Sequence, residues 1–282
     1  MTNALPRRVG VVGGGRMGIG IAHAFCINGA EIVVVERDSA EATSAEQRFE
    51  RSLLTSVERG DLANFDVALE RTTITTDMGD LAGCDLVVEA VPEDFDLKVE
   101  TLTSVEAVLS ESATLATNTS SLSVDALAER LARPGNFIGL HFFNPVPASA
   151  LIEIVVGAMT DPALVEAAKG WTAAVSKTPV VVTDSPGFAS SRLGVAIALE
   201  AMRMVEEGVA SAHDIDAAME LGYKHPSGPL KTTDIVGLDV RLGIAEYLAS
   251  TLGERFEPPQ ILRDKVAAGE LGRKTGRGFY DW

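Results

Sequence analysis

Residues 8–36 read RVGVVGGGRMGIGIAHAFCINGAEIVVVE. A short β-branched run, 8–13, enters a cluster of glycines. A stretch with helical spacing, 17–28, leaves it and stops at Gly29, and a second β-branched run, 31–36, follows. Gly13, Gly15 and Gly18 fit the G-x-G-x-x-G pattern between a strand and a helix, the context in which that pattern carries weight. Gly13 permits the tight turn, Gly15 lets a pyrophosphate approach the backbone, and Gly18 lets the helix pack on the strand. The start of the helix offers N–H groups and partial positive charge to phosphates. Glu36 closes the second strand, where a carboxylate accepts from ribose hydroxyls and repels a 2′-phosphate. The stretch therefore predicts a dinucleotide-binding βαβ unit that takes NAD rather than NADP, with Arg37 the one neighbour that pulls the other way.

Working outward, the same alternation continues. Residues 39–60 form a long polar helical pattern with Phe49, Leu53, Leu54 and Val57 on one stripe. Strand patterns at 72–76, 85–90, 113–117 and 137–143 alternate with helical ones at 95–109 and 124–131. Such βαβα order predicts a parallel, doubly wound, Rossmann-type sheet. Two further strands, 151–156 and 179–183, flank a helix at 162–176. Beyond Ser185 strand signals stop, and helices are expected at 192–207, 212–221 with Ser211 as N-cap, 233–252 and 259–268. The expected architecture is an α/β Rossmann-type domain, 1–184, followed by an all-α C-terminal domain, 185–282. The apolar positions of 192–207, among them Leu193, Val195, Ile197, Leu199 and Met202, circle their helix, so burial on several sides is expected.

Composition narrows the partners. The formal net charge of −16 repels phosphate backbones and anionic membrane surfaces, so neither nucleic acid nor membrane is expected as a partner. Any phosphate site must be made by local groups. Two cysteines, Cys26 and Cys84, in apolar surroundings read as buried inert thiols rather than a disulfide framework. There is no apolar run of the ~18 residues a membrane span needs and no signal-peptide layout at the start, which predicts a soluble, cytoplasmic chain.

Two stretches carry the chemistry. Asn118-Thr119-Ser120-Ser121 follows one strand and His141-Phe142-Phe143-Asn144-Pro145 the next, both at carboxyl ends, the edge where open α/β sheets place ligands. His141 is one of four histidines. His23 falls within a helix, His213 near a helix start and His225 in a Pro/Gly-rich loop, positions that read as structural or solvated. Oxidising an alcohol by hydride transfer needs a base for the hydroxyl proton, and imidazole titrates near neutral pH. Glu153 sits inside an apolar strand pattern, where a carboxylate needs a partner. An imidazolium formed during turnover would be one, and a His141–Glu153 pair would fix the ring and stabilise its charged form.

Together these segments resemble the (S)-3-hydroxyacyl-CoA dehydrogenase family, in its short stand-alone 3-hydroxybutyryl-CoA dehydrogenase type. The marks are VVGGGRMGIGIA, DLVVEAVPED, NTSSL, GLHFFNPVP, DSPGF, GPLKTTDIVGLD and GRKTGRGFYDW, spread from Val9 to Tyr280. The resemblance implies interconversion of an (S)-3-hydroxyacyl-CoA, with 3-hydroxybutyryl-CoA the expected substrate, and its 3-oxo form with NAD. It implies His141 as the catalytic base, Glu153 as its partner and Ser120 as a substrate contact. Glu93, Lys98, Ser120, Asn144 and Lys274 match its nicotinamide-side contacts, and Ser52 and Arg59 its CoA contacts. A cation at Arg59 suits CoA phosphates in so acidic a chain. The resemblance also implies a homodimer formed through the C-terminal domain. The family commonly has P-G-F-x-x-N-R. Here Ser191 stands at the Asn position, a shorter donor that reaches less far. Two other readings stay open at this point: a dehydrogenase of a free hydroxy acid on the same fold, and an NAD-binding protein with weakened catalysis.

Overall fold

The computed structural model describes residues 5–282, in two compact units that divide after Asp184. In the first unit, strands β1 (Arg8–Val12), β2 (Glu31–Val35), β3 (Thr72–Thr75), β4 (Leu86–Glu89), β5 (Thr114–Thr117), β6 (Phe137–Phe142), β7 (Leu151–Val156) and β8 (Thr178–Thr183) form one sheet in the order β3-β2-β1-β4-β5-β6-β7-β8. The first six are parallel, and the order reverses between β1 and β4, which opens a crevice at their carboxyl ends. Valine and isoleucine dominate β1, β2 and β4 because both faces of a parallel sheet are covered. Helices α1 (Arg16–Ile27), α2 (Ser39–Arg59), α3 (Phe65–Glu70), α4 (Phe95–Val108), α5 (Val124–Ala128) and α6 (Pro162–Ala174) complete this unit. Asp38, Asn64, Asp94, Ser123 and Asp161 cap α2 to α6 by accepting from backbone N–H groups of the first turn. Val9, Val11, Ile21, Phe25, Ile32, Phe49, Leu53 and Ile154 belong to one buried core cluster.

The structure departs from the sequence expectation here in two ways. Helix α3 was not foreseen. The sheet is also not parallel throughout: β7 runs antiparallel to β6, with His141 directly opposite Glu153, and β8 runs parallel to β7. Residues 143–150 are too few for the crossover that a parallel neighbour requires.

The second unit is helical: α7 (Ser190–Glu206), α8 (Ala212–Ala217), α9 (Pro229–Val236), α10 (Leu238–Leu252) and α11 (Gln260–Ala267). Ser211 caps α8, as its sequence suggests. The single helix expected over 233–252 is two, because Gly237 at φ 110° leaves helical space and ends α9 before α10 begins. Helix α7 is not buried all round. Val195, Ala198, Leu199 and Met202 face the core, whereas Leu193 is 63% exposed and Ile197 lies outward with it. The C-terminal run is clasped by two buried aspartates. Asp234 accepts from the N–H groups of Phe279 and Tyr280 and from the Trp282 indole, each at 2.9 Å. Asp216 accepts from the Tyr280 hydroxyl at 2.7 Å and from the amides of Leu230 and Lys231.

Candidate active site

The glycine loop lies at the carboxyl end of β1. Helix α1 follows Gly15 at its N-cap with no side-chain cap and no acid in its first turn, so its leading N–H groups have no anionic side-chain cap among the described residues. A Cβ on Gly15 would meet nothing within 4 Å, whereas one on Gly18 would sit 1.7 Å from the Gly13 carbonyl oxygen. One glycine is thus open for an approaching group and the other is required by packing. Glu36 turns back onto the loop: its Oε1 accepts from the Gly14 amide at 2.6 Å and its Oε2 from the Arg37 amide at 3.2 Å. The Arg37 guanidinium faces away, paired with Asp38 at 3.3 Å and Glu41 at 3.1 Å. Arg37 is therefore already paired with acids, and Arg48, which donates to the Gly14 carbonyl at 2.9 Å, also meets Glu41 at 3.7 Å. An uncapped helix start, an open Gly15 and a carboxylate at the end of β2 fit NAD.

The β6–β7 ladder sets the chemical pair. Because His141 and Glu153 are cross-strand partners, their side chains leave the same face, and the imidazole Nδ1 lies 2.8 Å from the Glu153 carboxylate. Both are buried, Glu153 to 1% exposure. Phe143 packs on the imidazole with ring centroids 4.4 Å apart. Asn118, just past β5, accepts from the Phe142 amide at 2.8 Å and so ties the carboxyl ends of β5 and β6 together, a role its sequence position did not disclose. A 310 Å³ cavity is lined by Met17, Glu93, Ser120, His141, Phe143 and Asn144, among others. The structure thus brings together the glycine-helix start, the serine loop and the histidine, as expected for one site.

Glu93 is engaged differently from the cofactor contact that the resemblance implies. Its Oε1 accepts from Thr119 Oγ1 at 2.7 Å, from the Ser120 and Ser121 amides at 2.8 and 3.0 Å, and from their hydroxyls at 3.1 and 3.0 Å. Burial works against its ionisation, but the Lys98 ammonium and these donors outweigh it and hold the carboxyl below its usual range. Lys98 is 1% exposed, and its ammonium meets Glu89 at 2.7 Å, the Val91 carbonyl at 3.2 Å and Glu93 at 3.4 Å. Glu89, fully buried at the end of β4, was missed by sequence reading. The signal was there, since it is an acid inside an apolar strand like Glu153.

Arg59 lines a second cavity, of 380 Å³, together with His23, Ser56 and Lys177. Ser52 lies one turn up α2 and does not line it. His23 is buried and structural, as expected: its Nε2 meets Ser56 Oγ at 2.8 Å, and burial lowers its pKa to about 4. The Lys177 ammonium donates to the Val146 carbonyl at 2.6 Å and to that of Ser149, which pins the 143–150 loop. Ser191 and Lys274 belong to the helical unit. Ser191 is in the first turn of α7, and Lys274 pairs with Asp239 at 2.6 Å. Both cysteines are buried, and burial raises their pKa values.

This constellation on a doubly wound sheet defines a dehydrogenase site. Comparison with known families agrees: residues 8–185 match the 3-hydroxyacyl-CoA dehydrogenase NAD binding domain, and residues 187–282 the C-terminal domain of the same family. The chain belongs to the 3-hydroxyacyl-CoA dehydrogenase family. It is similar to a 3-hydroxybutyryl-CoA dehydrogenase of Mycobacterium tuberculosis (strain H37Rv), 40% identical over 287 residues covering 100% of both chains. It is 39% identical to a probable 3-hydroxybutyryl-CoA dehydrogenase of Deinococcus radiodurans, over 98% of this chain and 100% of the relative. The crystal structure of (S)-3-hydroxybutyryl-CoA dehydrogenase from Ralstonia eutropha superposes with a TM-score of 0.94 at 38% identity, covering 98% of this chain and 99% of that one.

Proposed function

We propose that this chain is an NAD-dependent 3-hydroxyacyl-CoA dehydrogenase that interconverts (S)-3-hydroxybutyryl-CoA and acetoacetyl-CoA. The observation that carries this reading is the 2.8 Å contact between His141 and Glu153 beside the 310 Å³ cavity that the serine loop also lines. NAD bound through Gly13, Gly15, Gly18 and Glu36 supplies the hydride acceptor. Glu153 holds Nδ1, so proton exchange with the substrate oxygen runs through Nε2 of His141. Proton uptake makes the imidazole cationic, and the buried carboxylate opposite stabilises that state. In the reducing direction the same nitrogen delivers the proton.

Ser120 is the second contact to the substrate oxygen. Five donors converge on Glu93 Oε1, more than the lone pairs of one oxygen accommodate. The Ser120 hydroxyl makes the longest of these contacts, at 3.1 Å, and is the one released most cheaply towards a ligand. Asn144, on the cavity wall, and Lys274 are assigned to the nicotinamide side, Ser191 to the substrate, and Ser52 and Arg59 to CoA. Arg59 beside a cavity supports the CoA assignment because no acid pairs with it among the described residues. The test is the loss of reduced-nicotinamide absorbance with acetoacetyl-CoA and NADH. His141→Gln abolishes turnover and leaves NADH binding intact. Unchanged turnover in that variant removes His141 from the mechanism.

The functional form proposed is a cytoplasmic homodimer. No helix among the described residues is long and apolar enough to cross a membrane. Ile197, Ala201, Met204, Ile215 and Met219 line a 380 Å³ apolar cavity on the helical unit, and Leu221 is 73% exposed. A surface of this kind suits a second copy of the chain. Light scattering tests it, and a clean monomer at micromolar concentration counts against it.

A further inference from the structure

Glu89 is buried completely, yet it touches three segments of the crevice. Its Oε1 accepts from the Val91 amide and from the Lys98 ammonium, both at 2.7 Å, and its Oε2 accepts from Thr117 Oγ1 at 2.6 Å. Thr117 in turn accepts from the Thr119 amide at 3.2 Å. Lys98 reaches onward to Glu93 at 3.4 Å, and Glu93 gathers the hydroxyls of residues 119–121 and the amides of Ser120 and Ser121. The network therefore runs from the end of β4, through α4, to the loop after β5. Its last member is the Ser120 hydroxyl.

We infer that Glu89 is a positioning residue for Ser120, acting through the Lys98 ammonium and Glu93. A desolvated ammonium with two carboxylates in reach is drawn to both. Glu89 holds it more closely, which leaves Glu93 enough freedom to collect the serine loop instead of collapsing onto Lys98. Without the Glu89 charge, the whole cation falls to Glu93, and the carboxylate is pulled off the Ser120 and Ser121 amides. With neither Glu89 charge nor Lys98, Glu93 loses its anchor and the loop loosens again. The role of Ser120 rests on the proposed reaction, but the positioning of its amide does not.

The test uses the full chain without cofactor, followed by turnover. Hydrogen exchange at the Ser120 and Ser121 amides is measured in the parent, Glu89→Gln, and the double variant Glu89→Gln/Lys98→Met. Exchange is expected to rise about tenfold or more in Glu89→Gln, and kcat with acetoacetyl-CoA and NADH to fall by about the same factor with KM little changed. The double variant removes the buried cation that Glu89→Gln leaves with half its counter-charge, so its melting temperature recovers towards the parent while exchange stays fast and kcat stays low. Should Glu89→Gln not fold, Thr117→Val breaks one neutral link of the network and is expected to quicken exchange at the same amides by a smaller factor. The proposal is overturned if these amides keep parental protection in the variant that folds, or if protection and kcat recover together with melting temperature in the double variant. An inactive parent with the expected exchange pattern instead overturns the reaction while leaving the network in place.

Discussion

Glu153→Gln isolates the electrostatic part of the catalytic pair. The amide keeps the shape of the side chain and can still accept from the imidazole, but it carries no charge. At the observed 2.8 Å, a full imidazolium–carboxylate pair in an effective dielectric of about 20 is worth about 6 kcal/mol. A proton roughly half transferred in the transition state realises about half of this, about 3 kcal/mol, or a factor of roughly 10² in kcat. A neutral imidazole in the ground state feels little of the lost charge, so KM for (S)-3-hydroxybutyryl-CoA and the Kd for NAD are expected to stay near parental values. The assay is steady-state reduction of NAD by (S)-3-hydroxybutyryl-CoA, the direction in which the imidazole takes up the proton, alongside NAD binding by calorimetry and thermal melting to confirm the fold. A folded variant whose kcat stays within about threefold of the parent refutes the reasoning, because a charge at that distance cannot be so nearly neutral to an imidazole that takes up a proton.

Four further outcomes are expected. Gly18→Ala forces a Cβ to within 1.7 Å of the Gly13 carbonyl oxygen, so the helix must lift off the loop, and NADH binding read by fluorescence titration weakens about tenfold or more. Unfolded chains protonate His23 near pH 6.5 and the folded chain only near pH 4, so the unfolded state binds the extra proton between them and stability falls as pH drops through that window. The loss is at most about 3 kcal/mol, and urea titrations of His23→Gln show a shallower acid slope. Asp234→Asn replaces one of two accepting oxygens by an amide NH2, which faces at least one of the three donors of the C-terminal run, and costs about 2–4 kcal/mol, read as a lower denaturation midpoint. Ser191→Asn gives a longer donor at the start of α7, and kcat with acetoacetyl-CoA is expected to rise by up to about tenfold.

Much of the site was legible because its chemistry depends on local pattern. Three glycines between a strand and a helix, an acid closing the second strand and an acid inside an apolar run each break a local rule, and such breaks mark function. What stayed hidden depends on tertiary partners. The resemblance offers Lys98 as a nicotinamide-side contact, and only its position against Glu89 reveals the buried ion pair that holds its ammonium. Gly237 looks like a tolerable glycine within helical periodicity, whereas its φ of 110° decides that the helix ends there. Leu193 and Ile197 match the apolar stripe in type but not in direction, because spacing on α7 does not say which side has neighbours. The direction of β7 was in fact readable, since the short 143–150 connection excludes a parallel return.

The antiparallel return of β7 has a consequence for how this scaffold can diversify. His141 and Glu153 face each other on a single rung of one ladder, so their alignment is inherited from main-chain pairing and not from the stretch that joins the strands. That stretch carries Phe143 and Asn144 on the cavity wall and is pinned separately by Lys177. The 143–150 connection can therefore change without shifting the pairing of 141 with 153, whereas a single-residue slip in either strand would send one partner through to the opposite face of the sheet.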